Sequence, residues 1–171
     1  MSTPPATIRP ATSADLTAVA EIMKHYVEQT VATFTETPPT AGEWSRLHGD
    51  LAARGLPFLV AQAGGDVVGF AYAGPWRPKS AYRHTVEDTV YLAPTATGHG
   101  IGKALLSELV SRATAAGCRQ MIAVIADTGD PSSAALHRRL GFVDAGRLRA
   151  VGFKHGRWID TLLLQRELTA P

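Results

Sequence analysis

The sequence predicts an α/β (α+β) fold: a mixed, mostly antiparallel sheet of six to seven strands flanked by helices. Three observations carry that prediction. Apolar spacings of period 2 and period 3.6 alternate in the order β-α-α-β-β-β-α-β-α-β-β. The continuous apolar run "MIAVIA" at 121–126 has the mark of a strand buried on both faces. Just before it, "TATGHGIGKALL" at 95–106 places three glycines at alternate positions and then enters helical spacing.

Each element has a local reason. "ATIRPA" is a short strand around Ile8, and Leu16, Val19, Ile22, Met23 and Tyr26 then share one helical face. After the polar stretch "EQTVATFTETPP", Thr40 and Glu43 form a capping-box signature for a second helix through Leu47 and Leu51. "PFLVAQAGGDVVGFAYAGP" is a hairpin turning at Gly64-Gly65-Asp66, ended by Pro75 and Pro78. A loop at 76–84 leads to the strand "EDTVYLA" at 87–93, stopped by Pro94. The next helix is expected from about 99 to 116, burying Leu105, Leu106, Leu109 and Ala113, with Gly117 as its left-handed stop. Asp130 as N-cap and Pro131 at the first helical position open a further helix, which ends at Gly141. "FVDAGRLRAVGFKHG" and "RWIDTLLLQREL" are the last two strands, with Gly156 near their bend.

Bulk properties exclude several classes. The 171 residues fit one domain spanning 1–171. A formal charge of +2, with Lys and Arg scattered, gives no nucleic-acid footprint. Cys118 is alone, so no internal disulfide is possible and a reducing compartment is expected. The histidines at 25, 48, 84, 99, 137 and 155 lack zinc-ligand spacing, so no metal is expected. No apolar stretch reaches membrane-spanning length, and "MSTPPATIRP" lacks the order of a signal peptide. A soluble, cytoplasmic protein without a membrane partner is expected.

The glycine loop fits neither of two well-known phosphate motifs. A Walker A loop would need Gly at Thr97 and Ser or Thr at Ala104. A dinucleotide fingerprint would need Gly at Lys103 or at Leu105. What remains is G-x-G-x-G between a strand and a helix, where free backbone N–H groups and the helix dipole suit a pyrophosphate. A tight turn without a ligand is the alternative.

The order "VYLAP", "TGHGIG", "IAVIA" and "SSAALHRRLGF" resembles the core of the GNAT superfamily of N-acetyltransferases. "VATFTETPPT", "GPWRPKSAYRHTVEDTVYLAP" and "LRAVGFKHGRWIDT" are similar to the phosphinothricin and methionine-sulfoximine N-acetyltransferases, from Ile8 to Leu168. The resemblance implies the acyl-CoA N-acyltransferase fold, splayed between the fourth and fifth strands, and acetyl-CoA as cosubstrate. Its pyrophosphate would rest on Thr97, Gly98, His99, Gly100, Ile101, Gly102 and Lys103. Its pantetheine arm would pair with Val90, Tyr91 and Leu92 and reach Asp130 and Ser133. Thr97 stands where the family usually carries Arg or Gln, and Asp130 where it usually carries Asn.

The resemblance also assigns roles. Glu87 is the expected general base, with a solvated strand-end carboxylate as the alternative. Backbone N–H groups along Val90, Tyr91 and Leu92 are the expected oxyanion donors. His137 is either the acid that protonates the leaving thiolate or a packed structural histidine. Arg77, Lys79 and Arg83, beside Trp76 and Tyr82, suit the carboxylate of an amino acid, although a generic surface loop can also be basic. The match places Phe34, Arg77, Lys79, Tyr82, Arg83, Thr85, Thr89, Tyr91 and Val124 around the substrate. The implied reaction acetylates the α-amino group of phosphinothricin or methionine sulfoximine and detoxifies it. Other amino acids or small amines, or a non-catalytic CoA-binding module, are the rival readings. A homodimer is expected through the terminal hairpin, with Thr161 close to a substrate site.

Overall fold

The strands and helices appear in the expected order. β1 (Thr7–Pro10) precedes α1 (Leu16–Gln29) and α2 (Ala41–Ala53). The hairpin of β2 (Phe58–Ala63) and β3 (Asp66–Pro75) leads to β4 (Thr85–Leu92) and α3 (Ile101–Ala115). β5 (Gln120–Ala126), α4 (Ser132–Arg139), β6 (Val143–Lys154) and β7 (Arg157–Glu167) complete the chain. This computed structural model describes residues 5–169; positions 1–4 of the N-terminal stretch and 170–171 lie outside it. The strands form one seven-stranded sheet in the order β1-β2-β3-β4-β5-β7-β6. β4 and β5 run parallel and the other neighbours are antiparallel.

The local signals operate as chemistry requires. Thr40 Oγ1 accepts the Glu43 N–H at 3.1 Å while Glu43 Oε2 accepts the Thr40 N–H at 2.8 Å, the reciprocal capping box of α2. Asp130 Oδ1 accepts the Ser132 N–H at 2.9 Å, and Pro131 has helical dihedrals of φ −81° and ψ 0°. Pro131 is thus the N-cap of α4, whose first helical bond runs from Ala135 N–H to Pro131 O, and the expected cap Asp130 lies one residue earlier, its carboxylate held in the turn by Ser132.

Two expectations need correction. α3 starts at Ile101 rather than near 99, because Gly98 and Gly100 have φ of 81° and 78°. A right-handed helix cannot contain that left-handed backbone, so the helix begins only past the second glycine. β5 is also not buried on both faces. Met121 and Ala123 are buried, but Val124 is 42% exposed. One face of β5 packs against α3, and the other, carrying Val124, is left partly exposed.

The sheet separates two apolar cores. On one face, Leu105, Leu106, Leu109 and Ala113 of α3, all 0% exposed, pack with Val86, Met121 and Leu164. Each of those leucines contributes about 1.5–3 kcal/mol relative to an exposed side chain. On the other face, Val19, Ile22, Met23 and Val27 of α1 pack with Trp44, Phe58 and Phe70. Tyr26 is only half-buried, and its hydroxyl crosses toward β4.

Candidate active site

β4 and β5 pair for only three residues: Thr85 with Gln120, Val86 with Met121 and Glu87 with Ile122. Beyond that point β4 stays on β3 as far as Leu92, while β5 stays on β7 as far as Ala126. The strands part, and a wedge opens between them from Asp88 onward.

Strand parity decides which groups face the wedge. Trp76 N–H donates to Thr85 O at 3.2 Å, and Ala93 N–H donates to Val68 O at 2.8 Å. Odd-numbered residues of β4 thus direct their backbone at β3, and even-numbered ones direct it at β5 or the wedge. Val90 and Leu92 face the opening. Tyr91 does not: its N–H lies on the β3 side, so three consecutive donors cannot serve one oxyanion. The Leu92 carbonyl accepts the Tyr26 hydroxyl at 2.5 Å, tying α1 across the opening.

Side chains divide by the same parity. Val86, Val90 and Leu92 join the α3 core, whereas Tyr91 joins the α1–α2 core with Tyr72. Glu87, Thr89 and Tyr91 consequently share the α1–α2 side. Burial, and to a lesser degree the negative charge of Asp88, raises the Glu87 pKa above the usual carboxylate value, with Arg77 acting the other way. Burial also raises the Tyr72 and Tyr91 hydroxyls, Tyr91 to about 12, so both stay protonated at neutral pH. The Tyr72 hydroxyl lies beside Thr89, and that of Tyr91 beside Thr33. The result is a half-buried carboxylate in a lining of neutral hydroxyls.

Asp88 points the opposite way. Its Oδ2 lies 2.7 Å from His137 Nε2, and His137 Nδ1 lies 2.7 Å from the Ser133 carbonyl. His137 is 4% exposed, with Phe142 edge-on at 4.9 Å. Burial alone would lower its pKa, but the hydrogen bond and charge of Asp88 outweigh that and raise it. Both ring nitrogens lie against oxygen acceptors, and the Asp88 charge favours the protonated ring. Its geometry is that of a strut between α4 and β4, with neither nitrogen free to meet a thiolate.

The other expected site residues lie around the wedge and on the elements that flank it. Phe34, Tyr82 and Val124 are large apolar side chains left 38%, 45% and 42% exposed. Arg77 stacks over Trp76 at 4.4 Å, and Arg83 Nη1 donates to Ser80 O at 3.2 Å, while Lys79 and Tyr82 are exposed on the same loop. Thr85 starts β4 half-buried beside that loop. At the start of α3, the exposed Gly98, His99, Gly100 and Lys103 frame the buried Ile101 and Gly102. Thr97 Oγ1 donates to Pro94 O at 3.1 Å, so its hydroxyl is engaged in the turn. The Asp130 carboxylate is likewise engaged by Ser132 in the turn before α4, and Ser133 uses its carbonyl on His137. Thr161 is 3% exposed and enclosed by its own chain, so it is not presented at the surface to a second subunit.

A cleft of about 450 Å³ lies between the C-terminal end of α1 and the β5–α4 loop, lined by Tyr26, Thr30, Ala32, Thr128, Asp130 and Arg157 among others. It meets the wedge at Tyr26 and does not include Glu87. Among the described residues no group of three or more His, Cys, Asp or Glu is placed to hold a metal, and no helix is long and apolar enough to cross a membrane. The role of Asp88 was missed in the sequence, although a Glu-Asp pair in a strand must point to opposite faces. Lys154 and Thr33 gave no local signal, because their contacts span more than a hundred residues.

A parallel strand pair that parts beside a glycine-led helix, with a raised carboxylate at the fork, defines an N-acyltransferase architecture. A model of the Acetyltransferase (GNAT) family matches residues 19–142, and the chain belongs to that family. It is 46% identical over 164 residues to a phosphinothricin N-acetyltransferase of Alcaligenes faecalis, covering 96% of this chain and 83% of the relative. It is 41% identical to an L-methionine sulfoximine/L-methionine sulfone acetyltransferase of Pseudomonas aeruginosa, covering 95% of each. The crystal structure of a phosphinothricin acetyltransferase from Sinorhizobium meliloti in complex with acetyl-CoA superposes with a TM-score of 0.91. That pair is 52% identical, covering 95% of this chain and 88% of the other.

Proposed function

We propose that the chain transfers an acetyl group from acetyl-CoA to the α-amino group of a small amino-acid-like substrate, of the phosphinothricin or methionine sulfoximine type, and thereby detoxifies it. The observation that carries this reading is the placement of Glu87, whose proton affinity is raised, at the fork where β4 and β5 part. The wedge fits an extended thioester arm, because Val90 and Leu92 turn backbone groups into it. The amides of Gly98 to Lys103, at the positive end of the α3 dipole, would hold the pyrophosphate.

When bound, acetyl-CoA supplies an activated acyl carbon. Glu87 takes a proton from the substrate ammonium, directly or through one water, and leaves a nucleophilic amine. The amine attacks the acyl carbon to form the N–C bond and an oxyanion; as that collapses the C–S bond breaks, and the departing thiolate takes up the second amine proton through solvent. One of the two wedge-facing N–H groups, Val90 or Leu92, meets the developing oxyanion, since at two residues' separation along a strand they stand about 7 Å apart; a single such donor is worth about 2.7–4 kcal/mol. His137 keeps β4 and α4 in register rather than acting as the acid. Arg77, Lys79 and Arg83 meet the carboxylate and the phosphinyl or sulfoximine oxygen, while Phe34 and Val124 meet the aliphatic part.

Further parts of the reading concern the assembly. Leu148, Val151, Phe153 and Trp158 of the terminal hairpin are exposed, with Phe153 and Trp158 rings 4.8 Å apart, which supports a homodimer through that face. One domain over the whole chain and a cytoplasmic location complete the reading. A thiol-release assay with acetyl-CoA and a panel of methionine sulfoximine, phosphinothricin, leucine and spermidine tests it. Turnover of the first two is expected; turnover of leucine or spermidine alone would reject the substrate assignment.

A further inference from the structure

Lys154 is 3% exposed yet, among the described residues, has no carboxylate in hydrogen-bond contact. Its ammonium donates to the Thr33 carbonyl at 2.8 Å and lies 3.5 Å from the Tyr26 carbonyl, one of the last four of α1. The Tyr26 carbonyl already accepts the Thr30 hydroxyl at 2.8 Å, so the cation adds to the negative end of the α1 dipole and joins it to the loop that follows. Two residues earlier, Gly152 lies against the Phe34 ring. A Cβ at Gly152 would stand 2.4 Å from Phe34 Cζ, a distance that real contacts do not reach.

The two contacts are one device. Along β6, burial alternates, with Val151 and Phe153 outward and Gly152 and Lys154 inward. A bulge sets that phase: the register slips between Leu148 and Gly152, Ala150 has φ of 50°, and its N–H donates to Asp160 Oδ1 at 2.8 Å. Asp160 is itself held by Arg147 at 2.8 Å. The inward pair then meets consecutive residues of the α1–α2 loop, Thr33 through its carbonyl and Phe34 through its ring. The Thr33 side chain lies beside Tyr91 on the Glu87 side of β4.

We propose that Gly152 and Lys154 are positioning residues that fix loop 30–36, holding Phe34 and Thr33 against the substrate side of the β4–β5 wedge. The proposal rests on the reading of Phe34 as a substrate contact. Neither Gly152 nor Lys154 lines the cleft beside Tyr26 and Asp130, and their nearest contacts are Phe34 and Thr33, so their removal is expected to act chiefly on the amine substrate. A shift of 1 Å in a substrate-positioning group can cost about 10²-fold in rate.

The test uses the full-length protein and the variants Lys154→Met and Gly152→Ala, with methionine sulfoximine as amine. The KM for the amine is expected to rise about tenfold while the KM for acetyl-CoA stays within about twofold. Hydrogen exchange of the amides at 31–36 is expected to quicken in both variants. A thermal-shift cycle adds Phe34→Ala: Gly152→Ala is expected to lower Tm markedly alone and much less when the ring is gone. Unchanged exchange at 31–36, or equal Tm losses in both backgrounds, overturns the pinning. Faster exchange with both KM values moved together, or neither moved, overturns the positioning role. If the wild type turns over no panel amine, the proposed function fails while exchange and the Tm cycle still decide whether the loop is pinned.

Discussion

Glu87 and Asp88 are neighbours on one strand and identical in chemistry apart from a methylene, yet they occupy different worlds. Glu87 lies half-buried on the α1–α2 side, with its proton affinity raised by burial. Asp88 lies on the α3–α4 side, 8% exposed and bound to His137 at 2.7 Å. The difference comes from the pleat alone, which sends successive side chains to opposite faces. One face leads into the opened wedge, and the other meets a helix that supplies a cation. A carboxylate that must exchange protons needs a free lone pair and a raised pKa; one that holds a helix to a sheet needs the reverse.

The sharpest break of this comparison is Glu87→Gln. Removing a general base costs about 10²- to 10⁴-fold in rate. A fall of that size in kcat/KM is expected, with little change in Tm, in steady-state assays at neutral pH. Near-full turnover would return Glu87 to a solvated strand-end carboxylate. The converse experiment is Asp88→Ala, which leaves the His137 imidazolium buried without its partner. Losing one member of a buried pair costs about 3–5 kcal/mol. Urea unfolding should show a loss of that order while the folded fraction retains its kcat. If folded Asp88→Ala loses as much kcat as Glu87→Gln, the division of roles between the two carboxylates is wrong.

That division also explains how far the sequence could be read. Element order, the capping box at Thr40 and the buried face of α3 follow from local spacing, and the structure agrees with them. The fork between β4 and β5 was expected only through family resemblance, because pairing that stops after three residues leaves no mark in composition. Val124 shows the limit best. It stands inside a run that spells a doubly buried strand, yet it is 42% exposed and joins neither apolar core. Likewise Tyr91 belongs to a run of expected N–H donors, but parity alone, fixed by Ala93 on Val68, turns its backbone away. The sequence leaves His137 open between acid and packed structural histidine, since its partner lies 49 residues earlier and only the fold brings them together.

A smaller effect contrasts the fork with the glycine loop. Gly100 has φ of 78°, and no atom would crowd a Cβ there, so Gly100→Ala tests backbone strain without steric clash. Left-handed backbone costs an ordinary residue about 1–2 kcal/mol. The loop should relax away from its anion-binding shape, weakening acetyl-CoA binding by about tenfold in calorimetry. The KM for the amine should stay unchanged, opposite to the pattern expected for Lys154→Met.

The gentlest probe is pH, because it perturbs both sides of β4 without altering a residue. For Glu87 the relevant form is the carboxylate, and its pKa lies above the ordinary 4.5. The log of kcat/KM should therefore climb as pH rises through that raised value, and Glu87→Gln should lose this limb. For His137 the sign is opposite. Its folded pKa lies above the ordinary 6.5, so the folded state holds the proton more tightly than the unfolded chain. The resulting stabilisation is complete below pH 6.5 and is lost as pH rises through the folded value. Urea unfolding of the wild type should thus show stability declining above pH 6.5, and His137→Gln should remove that decline. Catalysis gains from alkali on one face of the strand while the strut on the other face weakens. If His137→Gln instead removed the alkaline limb of kcat/KM and left the stability slope intact, His137 would be the acid and Asp88 its orienting partner.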